Sequence, residues 1–196
     1  MTDGPFLWYL NRSTGLVLLV LLTASTVLGV LALRGRAGRG LPRFVTQSLH
    51  RNLALVSVAL LGVHVASAVA DTFVDIRWWQ AFVPFGASYR PLWLGLGTVS
   101  LDLMVVVVVT SLLRSRLSHG SWHAVHLLSW AAWALAVVHG LGIGTDLGTS
   151  PATLLQPDHR WAALPTLACV AAVLVAALVR LARTLRPAPA PERSLS

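Results

Sequence analysis

Five long apolar runs separated by short polar stretches dominate the chain: Leu16 to Leu33, Leu49 to Ala70, Leu92 to Leu113, Trp122 to Leu141 and Trp161 to Leu181. Each approaches the roughly 20 apolar residues that carry an α-helix across a bilayer. The third run contains VVVVVT, whose β-branched side chains suit a strand. A lone spanning strand, however, leaves its backbone groups unpaired in lipid, so this run also reads as a helix. The pattern predicts an all-α integral membrane bundle of five transmembrane helices. For the first run the competing reading is a cleaved signal peptide, but its arginines follow the apolar residues instead of preceding them. It is taken as an uncleaved span.

The breaks between runs carry their own signals. RGRAGRGLPRF is rich in Gly, Pro and Arg, and Pro84, Gly86 and Pro91 interrupt the stretch WWQAFVPFGASYRP. RSRLSHGS and GIGTDLGTSPATLLQPDHR read as polar loops, and RTLRPAPAPERSLS as a disordered tail. Trp8, Tyr9, Trp78 and Trp79 fall beside the runs, where amphipathic rings suit the membrane–water interface. One membrane domain over residues 1–183 and a Pro/Ala-rich cytoplasmic tail over 184–196 follow.

Composition agrees with this layout and adds direction. Of 196 residues 56% are hydrophobic and 11% charged, far from the balance of a soluble domain. The net charge of +8 comes wholly from arginine. These arginines sit in short clusters between the apolar runs, so they describe topology and membrane lipid as surroundings; nucleic acid is not indicated. Placing the N-terminus outside and the C-terminus inside puts eleven of the fifteen arginines on the inner side, leaving Arg12, Arg77, Arg90 and Arg160 outside. The expected location is the inner (plasma) membrane, crossed several times. Cys169 is the only cysteine and lies inside an apolar run, which excludes an intrachain disulfide or a cysteine zinc site; it reads as a packing residue.

Chemistry enters through histidine. His50 and His64 stand fourteen residues apart in the second run, about 21 Å along a helix and within roughly 40° of one another around it. His126 and His139 stand thirteen apart in the fourth, about 19.5 Å along the axis. The inferred topology runs both spans in the same direction. His50 and His126 then share one depth near the inner surface, and His64 and His139 share another near the outer. Two imidazoles at equal depth on neighbouring helices can clamp one iron from opposite sides, and filling both axial positions favours electron transfer over oxygen binding. One detail resists. On an ideal helix His139 is rotated about 140° from His126, and starting from His123 leaves it about 160° off, so a π-bulge, a bend or side-chain reach must supply the difference.

LHR at 49–51, His64, WHAVH at 122–126 and HG at 139–140 together resemble the ferric reductase-like transmembrane domain. That superfamily includes NADPH oxidases, ferric-chelate reductases and the heme-binding membrane subunit of the periplasmic methionine sulfoxide reductase system. PLWLGLG and TSLLR are also similar to bacterial members, and the resemblance extends over roughly Phe6 to Leu181. It implies a b-type cytochrome with two hemes, with His50 and His126 on the inner iron and His64 and His139 on the outer; the ligand spacing selects His126 over His123. It further implies electron flow from a cytoplasmic reductant, a flavin reductase or a quinol donor, to an extracytoplasmic acceptor. NADPH oxidases continue into a flavin- and nicotinamide-binding domain, whereas this sequence contains no G-x-G-x-x-G loop. FAD or FMN and NAD(P)H are expected only through a partner, with this chain as the membrane heme subunit of an oxidoreductase.

Several residues are candidates for accessory roles. Asp102, the only acid deep in a span, suits the bundle interior, as a hydrogen-bond partner, a ligand orienter or a proton relay. Arg51 beside His50 suits a heme propionate or interface anchoring, and His123 a propionate or a plain interfacial position. Gly62, Gly95 and Gly97 let either a porphyrin or a helix come close. His119 and His159 read as solvated loop residues. Two other functions use the same residues: a proton or metal-ion transporter with a histidine relay, and a heme-free membrane scaffold.

Overall fold

The computed structural model describes residues 6–32, 42–72, 74–144 and 156–185. Arg34, Arg36 and Arg39 of the first arginine cluster, most of the loop after the fourth span and the predicted disordered tail lie outside the described residues. The elements are α1 (Phe6–Ala32), α2 (Arg43–Ala70), α3 (Pro91–Leu112), α4 (His119–His126), α5 (Leu128–Ile143) and α6 (Arg160–Thr184), with short 3-10 turns at Trp78–Ala81 and Arg114–Arg116. No strand occurs among the described residues. Five helices are long and apolar enough to cross a membrane, α4 and α5 together forming the fourth.

Three helices start earlier than the apolar pattern predicts. α1 begins at Phe6, ahead of Leu16, because no Gly or Pro interrupts Phe6 to Thr14 and the Arg12 guanidinium lies 4.3 Å over the Trp8 ring one turn back. α2 begins at Arg43, just after Pro42, a residue suited to the start of a helix. α4 begins at His119 because Ser118 caps it: its Oγ accepts the Ser121 backbone N–H at 3.1 Å. Hydropathy marks the part of a helix that sits in hydrocarbon, and polar turns extend beyond it.

The core lies where α1, α5 and α6 meet. Leu19, Trp133, Val137, Cys169 and Val173 are buried together there, and the Trp133 Nε1–H donates to Thr23 Oγ1 at 2.9 Å. Cys169 is thus one of the packed core side chains. α3 leans on α5, pinned by Ser100 Oγ donating to the Ala132 carbonyl at 2.7 Å. α2 packs along α1 with no comparable packing against α4 or α5, so a gap bridged by side chains separates it from the fourth span. Leu55, Val56, Val63, Leu174, Val175 and Leu178 are exposed on the bundle's outer surface, the position of lipid-facing side chains.

A folded cap covers one end of that gap. Buried Gln80 accepts the Arg77 backbone N–H at 2.9 Å, donates to the Gly86 carbonyl at 3.3 Å, and offers its own carbonyl to Thr98 Oγ1 at 3.1 Å. The Phe85 ring sits where a Cβ on Gly95 would be, which assigns that glycine to packing of the cap. Phe85 and Arg90 take positive φ of 63° and 40°, the tight corners of this cap, and Arg90 reaches across to the Gly142 carbonyl at 2.6 Å.

Candidate cofactor site between the second and fourth spans

The four histidines singled out above face the gap in twos. His50 on α2 and His126 on α4 approach to 6.1 Å between ring centroids, with ring planes 71° apart. His64 on α2 and His139 on α5 line one cavity of about 290 Å³, close to the lower end of the volumes that small-molecule and cofactor sites occupy. The pairing by depth read from the sequence is therefore the spatial one.

Each ring is held in a defined way. His139 Nδ1 lies 2.8 Å from the Trp93 carbonyl oxygen, His64 Nδ1 3.0 Å from that of Asn11, and His50 Nδ1 2.9 Å from that of Ser25. A carbonyl oxygen only accepts, so in a neutral imidazole these contacts put the proton on Nδ1 and leave the Nε2 lone pair available. Histidines that ligate metals commonly show this arrangement, with the distal nitrogen donating to a carbonyl that fixes ring and tautomer. Asn11 reinforces it by donating from Nδ2 to the His64 carbonyl at 2.8 Å and to Ser67 Oγ at 3.3 Å. His126 differs: its Nδ1 is buried without a hydrogen-bond partner.

Glycines make room for two of the rings. A Cβ on Gly15 would come within 2.9 Å of His64 Cε1, and one on Gly97 within 2.5 Å of His139 Nδ1. A Cβ on Gly29 would stand 3.5 Å from His50 Cε1, an ordinary contact. Gly97 thus seats an imidazole, and Gly62, another of the glycines noted in the sequence, meets nothing within 4 Å.

The phase problem of the fourth span has a local answer. The helix is interrupted at Leu127, directly after His126. The Trp130 N–H bonds to the Leu127 carbonyl at 3.1 Å, a three-residue step. A 3-10 turn advances about 120° per residue where an α-helix advances about 100°, so one such turn adds roughly 60°. That rotation is in the sense that returns His139 toward the face of His126.

Other candidates are placed differently. Asp102 is half-buried, is absent from the cavity lining and makes no hydrogen bond or ion pair among the described residues. On α3 it stands one turn beyond buried, cavity-lining Thr98 and one turn before exposed Val105 and Val106, at the border between the cavity face and the outer face. His123 stacks on His119 at 6.2 Å between centroids, away from the gap, and Arg51 is exposed. His119 opens α4 and is exposed; His159 is half-buried at the N-cap position of α6 and has an interaction partner, so it is not a free loop residue.

Asn11, Ser25, Trp93 and Gly15, which hold or seat the rings, carry no sequence signal for that role: the first three offer backbone carbonyls, with the Asn11 and Ser25 side chains beside them, and Gly15 acts through the lack of a side chain. No family model, curated protein or solved structure matches the chain. The donor set itself is informative. Asp71 also lines the cavity of His64 and His139, but among the described residues no three His, Cys, Asp or Glu side chains gather to hold a bare ion; imidazoles arranged in twos across a gap suit axial ligation of iron in a porphyrin better than a hard cation. The helix gap, the seating glycines and the Nδ1 anchors fit such a group.

Proposed function

We propose that this chain is a membrane cytochrome that carries electrons across the bilayer, with the fold and site similar to those of the ferric reductase-like superfamily. His50 and His126 would hold one b-type heme, and His64 and His139 a second. The observation that carries the reading is the anchoring of three of the four Nδ1 atoms on backbone carbonyls beside a gap that α2 and the fourth span do not close by packing. Low-spin, six-coordinate heme supplies one-electron chemistry with little change in shape. The protein's part is to fix both imidazoles, exclude water with the apolar spans, and set the two sites at two depths.

The arginine distribution supports a plasma-membrane topology with the N-terminus outside, making His50–His126 the inner site and His64–His139 the outer. Electrons then enter from a cytoplasmic flavin reductase or quinol and leave to an extracytoplasmic acceptor. In this reading nicotinamide and flavin are held by the partner. The test is an absorption spectrum of the purified protein, oxidised and dithionite-reduced, with heme quantified per chain. Two b-type hemes per chain are expected; a colourless protein after expression with ample heme overturns the reading. The same preparation should not oxidise NAD(P)H until a flavin reductase is added.

A further inference from the structure

His126 is the one member of the four whose Nδ1 has no acceptor, and a second orphan lies beside it. The Trp122 ring stacks on His126 at 5.0 Å between centroids and 25° between planes, and Trp122 Nε1 is also buried without a partner. Indole N–H is a donor only, and an imidazole that ligates through Nε2 carries its proton on Nδ1. Two adjacent buried donors therefore lack an acceptor, a costly state unless something else supplies it. A cation accompanies them, with the Arg114 guanidinium 4.5 Å from the centre of the Trp122 ring. Among the described residues no carboxylate hydrogen-bonds either donor or pairs with this arginine.

We propose that Trp122 Nε1 and Arg114 form a carboxylate-binding subsite for the acidic arms of the group held between His50 and His126. This rests on the cytochrome reading, because heme carries two propionates on one edge. An anion that accepts from a neutral N–H donor next to a guanidinium gains charge-assisted hydrogen bonds. The other three rings take an acceptor for Nδ1 from the backbone, and His126 is instead held by its stack on Trp122. Trp122 and Arg114 are positioning residues, touching the bound group's periphery and not its iron.

The experiment compares heme with its dimethyl ester, which keeps the ring and removes the negative charges. Purified full-length protein is stripped and reloaded with either form, and occupancy and midpoint potential are read at each site. Wild type should hold the ester at the His50–His126 site about tenfold more weakly than heme, the loss expected for charge-assisted hydrogen bonds. Trp122→Phe keeps the stacked ring and deletes the N–H. It should shrink that preference and shift the potential of this site, leaving the His64–His139 site unchanged. Arg114→Gln, at an exposed position, should shrink the preference as well and serves if the tryptophan variant fails to fold. Equal affinity for heme and ester in wild type, or an unaltered preference in both variants, overturns the subsite. A wild type that takes up neither form overturns the cytochrome reading itself, a distinct result seen before any variant is made.

Discussion

The two histidine pairs draw on the same two spans but differ in how the protein holds them. At His64–His139 both rings rest on backbone carbonyls, and both press on a glycine so closely that a methyl group there would collide. At His50–His126 only His50 has a carbonyl, its glycine leaves ordinary van der Waals room, and His126 leans on an aromatic and cationic cluster instead. One site is set by the main chain of α1 and α3. The other is set on one side by side chains of a short helix that is broken from its span. A backbone anchor holds ring orientation independently of any guest, whereas the cluster around His126 has donors left to satisfy. The His64–His139 site is accordingly the preorganised one.

The comparison is broken most directly by removing ligands. His64→Leu and His139→Leu should each abolish the same heme, halving heme per chain, while the other retains its spectrum. His50→Leu and His126→Leu should do the converse, and His123→Leu should leave both hemes in place because its ring stacks on His119. A His123 variant that loses a heme while His126→Leu keeps both would dissolve the pairing.

A smaller effect sharpens the difference in tightness. Gly97→Ala forces His139 off the Trp93 carbonyl, so heme retention at that site should fall by roughly 10–100-fold, the usual range for loss of a supporting contact to a metal ligand. Gly29→Ala meets His50 at 3.5 Å and should be tolerated, and Gly62→Ala, which meets nothing, is the control. Heme dissociation rates measured on the three variants give the ranking. Equal sensitivity of Gly97 and Gly29 would erase the distinction between the sites.

The same contrast shows where sequence reasoning reached. Five spans and the four facing histidines were legible because hydropathy and helical rise are local properties of Leu49–Ala70 and its counterparts. The break at Leu127 was legible only as a contradiction, an angular misfit of thirteen residues that no ideal helix absorbs. The supports of the rings were not legible. Ser25, Asn11 and Trp93 hold the rings chiefly through carbonyls that every residue possesses, the Ser25 hydroxyl and Asn11 amide adding to them, and the apolar pattern starts α1 only after the position of Asn11. Trp122 read as a span boundary, and its burial against His126 depends on how α4 is tilted from α5, a tertiary property.

Asn11→Ala tests the polar support at intermediate strength. Its carbonyl remains for His64, but the Nδ2 bonds to the His64 carbonyl and Ser67 Oγ are lost. The cost should be about 1 kcal/mol of stability, with the heme retained. Thermal unfolding in detergent, followed by heme absorbance, should show a midpoint lowered by a few degrees, of the order expected for ~1 kcal/mol. A complete loss of the His64–His139 heme would mean that the side chain, and not the carbonyl, orients the ligand.

The smallest effect is expected at Asp102, where sequence reasoning favoured an interior role. A carboxyl near the middle of a span is expensive, about 2.5–3.5 kcal/mol on insertion scales, and such groups usually face partners within the bundle. Here the side chain is half-buried and outside the cavity lining, on a stripe that runs from buried Thr98 to exposed Val105, Val106 and Val109. Among the described residues it makes no hydrogen bond or ion pair with a histidine through which to tune either pair. Asp102→Asn keeps size and hydrogen-bonding capacity, and both midpoint potentials and the rates of heme reduction and reoxidation should match wild type. Asp102→Leu removes the polar group altogether and should leave the heme spectra equally unchanged, without destabilising the bundle. A shift confined to one heme in either variant would show that the stripe of α3 bearing Asp102 reaches a site after all, and that the difference between the two pairs extends beyond the residues that hold their rings.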